Sequence, residues 1–544
     1  METMNNEWLP HLSPEIISEM KGSYLDAYVV ALEGWRRGLK LKWHHKNSPD
    51  FTNMKTWFID EPGQIFSLHS EERSHYFFRT RGDKVTNEAV ELGMDKEVTK
   101  QILSNAGIAV PKGKQFSRKD SVNEMISYAK EIGYPVVLKP TDGSFGRGVF
   151  TNINREQELL HSIDYIKNEM NENNFIIEKH IVGNDYRLYV VGDEVVGAIL
   201  RLPSNVVGDG VNTIDSLIEI KNNERKLNPR LLSCPIVVDE QVTNYIGKQQ
   251  YSLDTVVGEG ETIYLTDKCN ISLGGDPVDV LDDLTEEVKQ FAVDTFKTID
   301  GFKHGAVDIM IEEDENGDQT PYVIEFNPTA QIGGILFPMK GKGRDVPAAI
   351  MDYYFPETKD IETEKEKIYF DFYDVLEPLI SGQGIASAVT PAPIGKIHLK
   401  KYIVYGEVED TGYHMGLRKQ AFERGLHGFI AKGQEDGIIE IIVAGTDKEM
   451  VDDFIHGITE DEERANVLEI QQETYDKFVK VGFDPRVNVR EIEEEILEFK
   501  EEIEQLNKEI KQLEVRKRKK LRSPSWLATY PIRLAGAVAK PFKR

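Results

Sequence analysis

The stretch that decides the reading is Tyr134-Pro-Val-Val-Leu-Lys-Pro140-Thr-Asp-Gly-Ser-Phe-Gly-Arg-Gly-Val-Phe150. YPVVLKP is an apolar run stopped by proline, the pattern of a buried strand. It ends on Lys139 and enters a loop holding Gly143, Ser144, Gly146 and Gly148. Glycine lets backbone amides approach phosphate oxygens closely, and a lysine beside them neutralises polyphosphate charge. Alone, such a loop also suits an ordinary hairpin, so its flanks must decide. Upstream, MDKEVTKQILSNAG (94–107) predicts a helix ending at Gly107 and carrying Lys100. Downstream, NFIIEKHI closes an apolar strand on Glu178, Lys179 and Ile181, and Asp185 follows. Backbone at that strand end would read an adenine edge, Glu178 would take the exocyclic amine, and Asp185 would hold a ribose hydroxyl.

Farther on, AVDIMI places Asp308 on a strand, and PYVIEFN places Glu325 and Asn327 at i and i+2, on one face of the next. Three oxygen donors on paired strands suit Mg²⁺ bridging ATP phosphates. Singly, each acid reads as a solvated surface group; together and in this order they read as a site. Arg187 and Arg201 fall on strands beside the adenine segment, where either would neutralise a transferring phosphoryl group or grip a carboxylate. Lys340, Lys342 and Arg344 are weaker candidates for an acidic substrate.

The series MDKEVTK, VVLKP, GSFGRGV, EKHI and D…EFN resembles the ATP-grasp superfamily over roughly residues 91–355. The resemblance implies ATP phosphates at Lys100 and Lys139, adenine at Glu178, Lys179 and Ile181, and ribose at Asp185. It also implies two Mg²⁺, with Mn²⁺ as an alternative, at Asp308, Glu325 and Asn327. RLPSNVVGDGVNTIDSLIEIKNNER, CNISLGGDPVDVLDDLTEEV and EFNPTAQIGGILFPMKGKGRDV are similar to segments of cyanophycin synthetase and of the ligase half of bifunctional glutathione synthetase. The implied activity is ATP-dependent carboxylate–amine ligation through an acyl phosphate, on amino acids or peptides, with envelope precursors among the candidates. The alternatives are acylphosphatase activity and a nucleotide-binding scaffold without turnover.

Residues 394–480 predict strand, helix, strand, strand, helix, strand, a split βαβ order. YGEVEDTGYHMGLRKQAFERGLHGFIAKGQEDGIIEIIVAGT resembles acylphosphatase. At the positions where that family carries its phosphate-binding arginine and its water-positioning asparagine, this chain has His414 and Lys432, and Glu409 and Asp410 add negative charge to the loop. The expectation is a fold retained without its activity.

The expected fold class is therefore α+β. A small α/β domain at 1–90 of the kind that precedes ATP-grasp modules leads into the ATP-grasp domain at 91–355, which carries an insertion at 203–285. A linker at 356–393 leads to the ferredoxin-like, acylphosphatase-type domain. Val489, Ile492, Ile496, Phe499, Ile503, Leu506, Ile510 and Leu513 alternate at steps of 3 and 4, a coiled coil at 487–521 expected to make homo-oligomers. A basic amphipathic tail at 522–544 suits peripheral contact with anionic lipid.

The 544 residues carry 66 Lys and Arg against 93 Asp and Glu, a net charge of −27. The last thirty hold ten of the basic residues and no acid, leaving −37 for the rest. A general nucleic-acid partner is excluded on charge. Two cysteines cannot build a disulfide framework, and no signal-peptide pattern or long apolar run is present, so a cytoplasmic location is expected.

Overall fold

The computed structural model describes residues 6–17, 20–141, 148–170, 172–317 and 319–486, together with Leu506 and Ile510. The expected coiled coil, apart from those two helical residues, and the whole basic tail lie outside the described residues. The chain divides into two compact units, one formed by residues up to Ile397 plus Asp476–Val481, the other from His398 onward without that segment.

Three β-layers build the first unit. The N-terminal sheet is antiparallel and runs, in order, Ala386–Ala388, Lys40–His44, Ile65–His69, Ser74–Phe78 and Arg81–Gly82. The helix Ser23–Arg36 packs on it with nearly every side chain buried. Its core draws in Ile368, Phe370, Phe372, Leu376, Leu379 and Val389. Residues 356–393, expected as a linker, thus contribute to the core. Their mixed Pro/Gly/Ser composition hides a helix, Phe372–Ile380, whose apolar face closes the N-terminal layer. The N-terminal domain accordingly does not end at residue 90.

The second layer is a small sheet ordered Gly113–Ser117, Asn174–Lys179, Val136–Pro140 and Phe150–Ile153, covered by the helices Val122–Ile132 and Glu156–Asp164. Val136–Pro140 is buried along its whole length, as its apolar run requires. The third and central layer is antiparallel and ordered Asp276–Asp279, Glu194–Leu202, Asn184–Val191, His304–Glu313 and Gln319–Asn327. One face packs on the helix Glu286–Lys297. The other continues into the N-terminal core through Tyr189, Ile199 and Ala306.

The insertion begins where expected and folds around its own small core, from Val206 to Leu265. It ends earlier than 285, because Asp276–Asp279 joins the central sheet beside Glu194–Leu202. A buried cluster pins that junction: Asp276 is bridged by Arg225 at 2.7 Å and Lys221 at 2.5 Å.

The second unit has the expected order. Its sheet runs Asn466–Thr474, His398–Glu407, Ile438–Gly445, His427–Lys432 and Phe483–Arg486, and the helices Thr411–Glu423 and Lys448–Thr459 share its core. The last strand pairs parallel to His427–Lys432 and lies beyond the expected boundary at 480.

Candidate functional site

The predicted site residues fall in two charge clusters of the first unit, one on the small sheet and one on the central sheet. On the small sheet, Asp95 caps the helix Lys96–Asn105 and so turns Lys100 to its buried side. Lys139 arrives from the strand Val136–Pro140. Glu178 arrives from the neighbouring strand, in register with Val137. Lys100 donates to the Glu178 carboxylate, and Lys139 Nζ lies 2.5 Å from it. All three are buried. Burial alone would raise the Glu178 carboxyl, but the two ammoniums outweigh it and hold it at about 2. Burial pushes the Lys100 ammonium down. Two cations on one carboxylate leave an excess positive charge that an incoming polyphosphate would satisfy. Glu178, expected at an adenine amine, is thus taken up by the lysines.

The Lys179 side chain turns away from the lysine–glutamate cluster, because successive strand residues point to opposite faces. Its ammonium donates to the carbonyls of Gly133 and Tyr134, and only its backbone remains next to Ile181. Gly148 has φ +72, a left-handed conformation that favours glycine. Gly143, Ser144 and Gly146 lie outside the described residues.

On the central sheet, Arg187, Asp308 and Glu325 are cross-strand partners in one row. Arg201 and Asp185 are near neighbours on the same face. Arg187 forms a two-pronged bridge to Asp308, both contacts at 2.8 Å. Arg201 reaches Asp185 at 2.6 Å and Asp308 at 3.1 Å. Burial raises the Asp308 carboxyl, but the two guanidiniums outweigh this and hold it below the usual range. Asp185 is pushed up to about 6 by burial, with Arg201 opposing and Asp308 adding to the rise. A bulge between Asp308 and Ile309 interrupts the pairing there, the kind of irregularity that aims side chains into sites.

Asn327 lies one row on, opposite Ala306, and its amide Nδ2 is buried with no partner among the described residues. Glu325 is part-exposed, with Lys96 Nζ 4.0 Å away. Asp308, Glu325 and Asn327 thus bring side-chain oxygens, the donor type that a divalent cation of the Mg²⁺ type takes, to one face, with both Asp308 oxygens bridged by arginines. Sequence reasoning does not single out Lys96, although the DK pair that opens its helix is a visible signal. Arg344 bridges Asp279 at 2.6 Å and Asp282 at 2.9 Å, and Lys342 also faces Asp282.

The second unit has its own loop-to-helix turn at residues 408–414. Asp410 caps the helix Thr411–Glu423 by accepting from the Tyr413 amide. Glu409 accepts from the Gly437 amide at 3.3 Å and lies 3.9 Å from Lys432. Lys432 is also bridged to Asp436 at 3.0 Å. His414 is fully buried, and its Nε2 donates to the Val408 carbonyl at 2.7 Å. Burial lowers its basicity, so the ring stays neutral. A cradle that would take an anion is thus lined by acids and has no cation at His414.

A family model described as a RimK-like ATP-grasp domain matches residues 93–227, and an acylphosphatase model matches residues 400–485. The cyanophycin synthetase of a Synechocystis species is 32% identical over 275 residues, which cover 49% of this chain and 31% of that protein. The glutathione biosynthesis bifunctional protein GshAB of Clostridium perfringens is 30% identical over 305 residues, 55% of this chain and 38% of that protein. The crystal structure of a bifunctional glutathione synthetase from Pasteurella multocida overlaps 54% of this chain and 41% of that one, at 26% identity and a TM-score of 0.43. The chain spans about a third of the length of the curated relatives it matches. The sequence motifs, the paired charge clusters and the two family models agree: the chain carries a RimK-like ATP-grasp domain followed by an acylphosphatase-family domain.

Proposed function

We propose that the chain is an ATP-dependent carboxylate–amine ligase that forms an amide bond, with amino acids or peptides as substrates. One observation carries the reading: Arg187, Arg201, Asp308 and Glu325 converge on one face of the central sheet. The named ligases among its relatives support it, as does the lysine pair on Glu178.

In this reading Lys100 and Lys139 exchange Glu178 for ATP phosphate oxygens. A substrate carboxylate oxygen attacks the γ-phosphorus, the bond to the ADP oxygen breaks, and an acyl phosphate results. A neutral amine then attacks the acyl carbon, the carbon–oxygen bond breaks, phosphate leaves, and the amine loses a proton. Arg187 and Arg201 neutralise charge on the transferring phosphoryl group, and positioning supplies the remainder. Asp308, Glu325 and Asn327 would hold two divalent ions, Mg²⁺ or Mn²⁺, which when bound add charge neutralisation on the phosphates. Ile181 and the Lys179 backbone border the adenine, and Asp185, freed from Arg201, takes the ribose.

The acidic cradle of the second unit opposes acyl phosphate hydrolysis, so that domain is read as a retained fold without turnover. The seam at 487–521 is read as a self-association element. Light scattering on a chain ending at Pro485 should then give a smaller oligomer than the full chain. The basic tail is read as a peripheral contact for anionic lipid, on its lysines and arginines interspersed with Trp526 and Tyr530.

The test of the ligase reading is ADP release with Mg²⁺ and ATP across amino acids, peptides and dicarboxylates, with products weighed by mass spectrometry. Release that needs both a carboxylate and an amine, and yields their amide mass, is expected. Turnover that survives Glu325→Gln would sink the mechanism as drawn.

A further inference from the structure

Three side chains able to ligate a metal, none of them part of either charge cluster, meet from distant segments of the first unit. His11 lies on the short helix Pro10–Leu12, Glu33 on the helix Ser23–Arg36, and Asp345 just before the helix Val346–Tyr354. One donor atom from each lies within 4.8 Å of the other two. His11 Nε2 is 3.3 Å from Asp345 Oδ2. Zinc binds imidazole nitrogen and carboxylate oxygen at about 2.0–2.2 Å, so two neighbouring ligands of a tetrahedral ion lie roughly 3.3–3.5 Å apart. The His11–Asp345 spacing is already that of a ligand pair.

Each ligand is held in place by a neighbour. Asp345 Oδ1 accepts from the Ala348 amide at 3.0 Å, while Oδ2 faces His11. Glu33 Oε1 accepts from Arg37 Nε at 2.7 Å, and Arg37 is itself anchored on Asp352 at 2.6 Å. The His11 carbonyl accepts from Arg36 Nη1 at 2.8 Å. Contacts of this kind orient ligands before an ion arrives. The cluster already holds a cation, for Lys365 Nζ lies 2.6 Å from Glu33 Oε1 and 4.0 Å from Asp345 Oδ2. Lys365 keeps 25% of its side chain exposed, so its flexible stem can carry the ammonium out to water. Glu33 is buried, whereas His11 and Asp345 are partly exposed and give an ion its way in.

We propose that His11, Glu33 and Asp345 bind one divalent transition-metal ion of the Zn²⁺ type, which replaces the Lys365 ammonium, with water completing its shell. A nitrogen donor beside two carboxylates suits zinc better than Mg²⁺ or Ca²⁺, which take oxygen. The two carboxylates balance the ion's charge once the ammonium has left. Its role is structural. Residues 6–11 form a strap along segment 337–345. Asn6–Glu7 pairs parallel with Gly341–Lys342, and the Gly343 amide donates to the Glu7 carbonyl at 2.9 Å. The Trp8 indole donates to the Pro338 carbonyl at 3.1 Å, and its ring stands edge-on to Phe337. The ion fastens the end of this strap to the helix Ser23–Arg36 and to the turn that opens Val346–Tyr354. This site stands apart from the ligase reading and from the ions expected at Asp308, Glu325 and Asn327.

The test uses the full chain, freed of metal with a chelator and titrated with ZnCl₂ alone by calorimetry. Wild type should take up a Zn²⁺ ion that His11→Gln binds more than about tenfold more weakly. Lys365→Met removes the competing ammonium and should bind the ion more than about threefold more tightly, an outcome that an ordinary ion-pair cluster would not give. Glu325→Gln should bind this ion as wild type does. Thermal unfolding is read in parallel. Zn²⁺ should raise the midpoint of wild type and of Glu325→Gln by a few degrees and leave that of His11→Gln unmoved. No uptake by wild type overturns the proposal. So does uptake that His11→Gln retains, or that Glu325→Gln abolishes, since the ion would then sit elsewhere. If His11→Gln fails to fold, the lysine variant decides: affinity that Lys365→Met leaves unchanged or weakens overturns the proposal.

Discussion

The ATP-grasp site and the acylphosphatase-type cradle are both places where a family fold would hold a phosphoryl group, and their charges are arranged oppositely. In the first, four cations from separate elements rest on carboxylates: Lys100 and Lys139 on Glu178, and Arg187 and Arg201 on Asp308 and Asp185. In the second, the acids occupy the cradle itself. Asp410 takes the helix N-terminal amide, Glu409 takes the Gly437 amide, and neutral His414 donates to its own loop. A retained fold therefore says little about a retained activity; the sign and the commitment of the charge at the binding point say more.

Four experiments would break or sharpen that contrast, the first with the largest effect. Asp308→Asn should lower ADP release more than about 100-fold, because it removes charge at the point where phosphoryl charge is handled. Activity near wild type would remove the central-sheet row from the mechanism. Lys139→Ala should cost about 1.5–3 kcal/mol in denaturant unfolding, since buried Glu178 loses one charge-assisted hydrogen bond while Lys100 still balances its charge; a loss well under 1 kcal/mol would mean that water already reaches the cluster.

The third experiment is a pH series. Glu178 falls from an ordinary 4.5 to about 2 in the folded chain. A depressed carboxyl gives stability that is complete above its unfolded value and lost as pH falls through its folded one. Wild type should then lose about 3 kcal/mol between pH 5 and pH 2 that Glu178→Gln does not lose. Parallel curves for the two proteins would contradict the coupling. The smallest effect belongs to the cradle. Asp410→Ala should cost about 1 kcal/mol as a lost helix cap, and benzoyl phosphate should be hydrolysed at the buffer rate by both wild type and variant. Hydrolysis above that rate by wild type would restore the active reading of the second unit.

Several parts of the site are legible in the amino-acid order alone. The helix bearing Lys100, the strand ending at Lys139, and the alternation that puts Glu325 and Asn327 on one face all follow from local periodicity. The same alternation removes the Lys179 side chain, since its neighbour Glu178 already claims the inward face. Residues 356–393 read as a linker because Pro, Gly and Ser dominate their end, while the apolar face of Phe372–Ile380 finds its partners more than 300 residues upstream. Pairing of this length leaves no local trace.

The sequence by itself determined which groups are present and which face each takes: two lysines, one glutamate, a row of acids and arginines, and a cradle whose arginine position holds histidine. Tertiary structure alone decided which charges meet. It set Arg187 and Arg201 on Asp308, closed the N-terminal layer with residues 356–393, and brought His11, Glu33 and Asp345 into one cluster. The physical reason is range. Periodicity and capping act within a few residues, whereas burial and ion pairing depend on which distant surfaces the chain brings together and how far water is excluded from them.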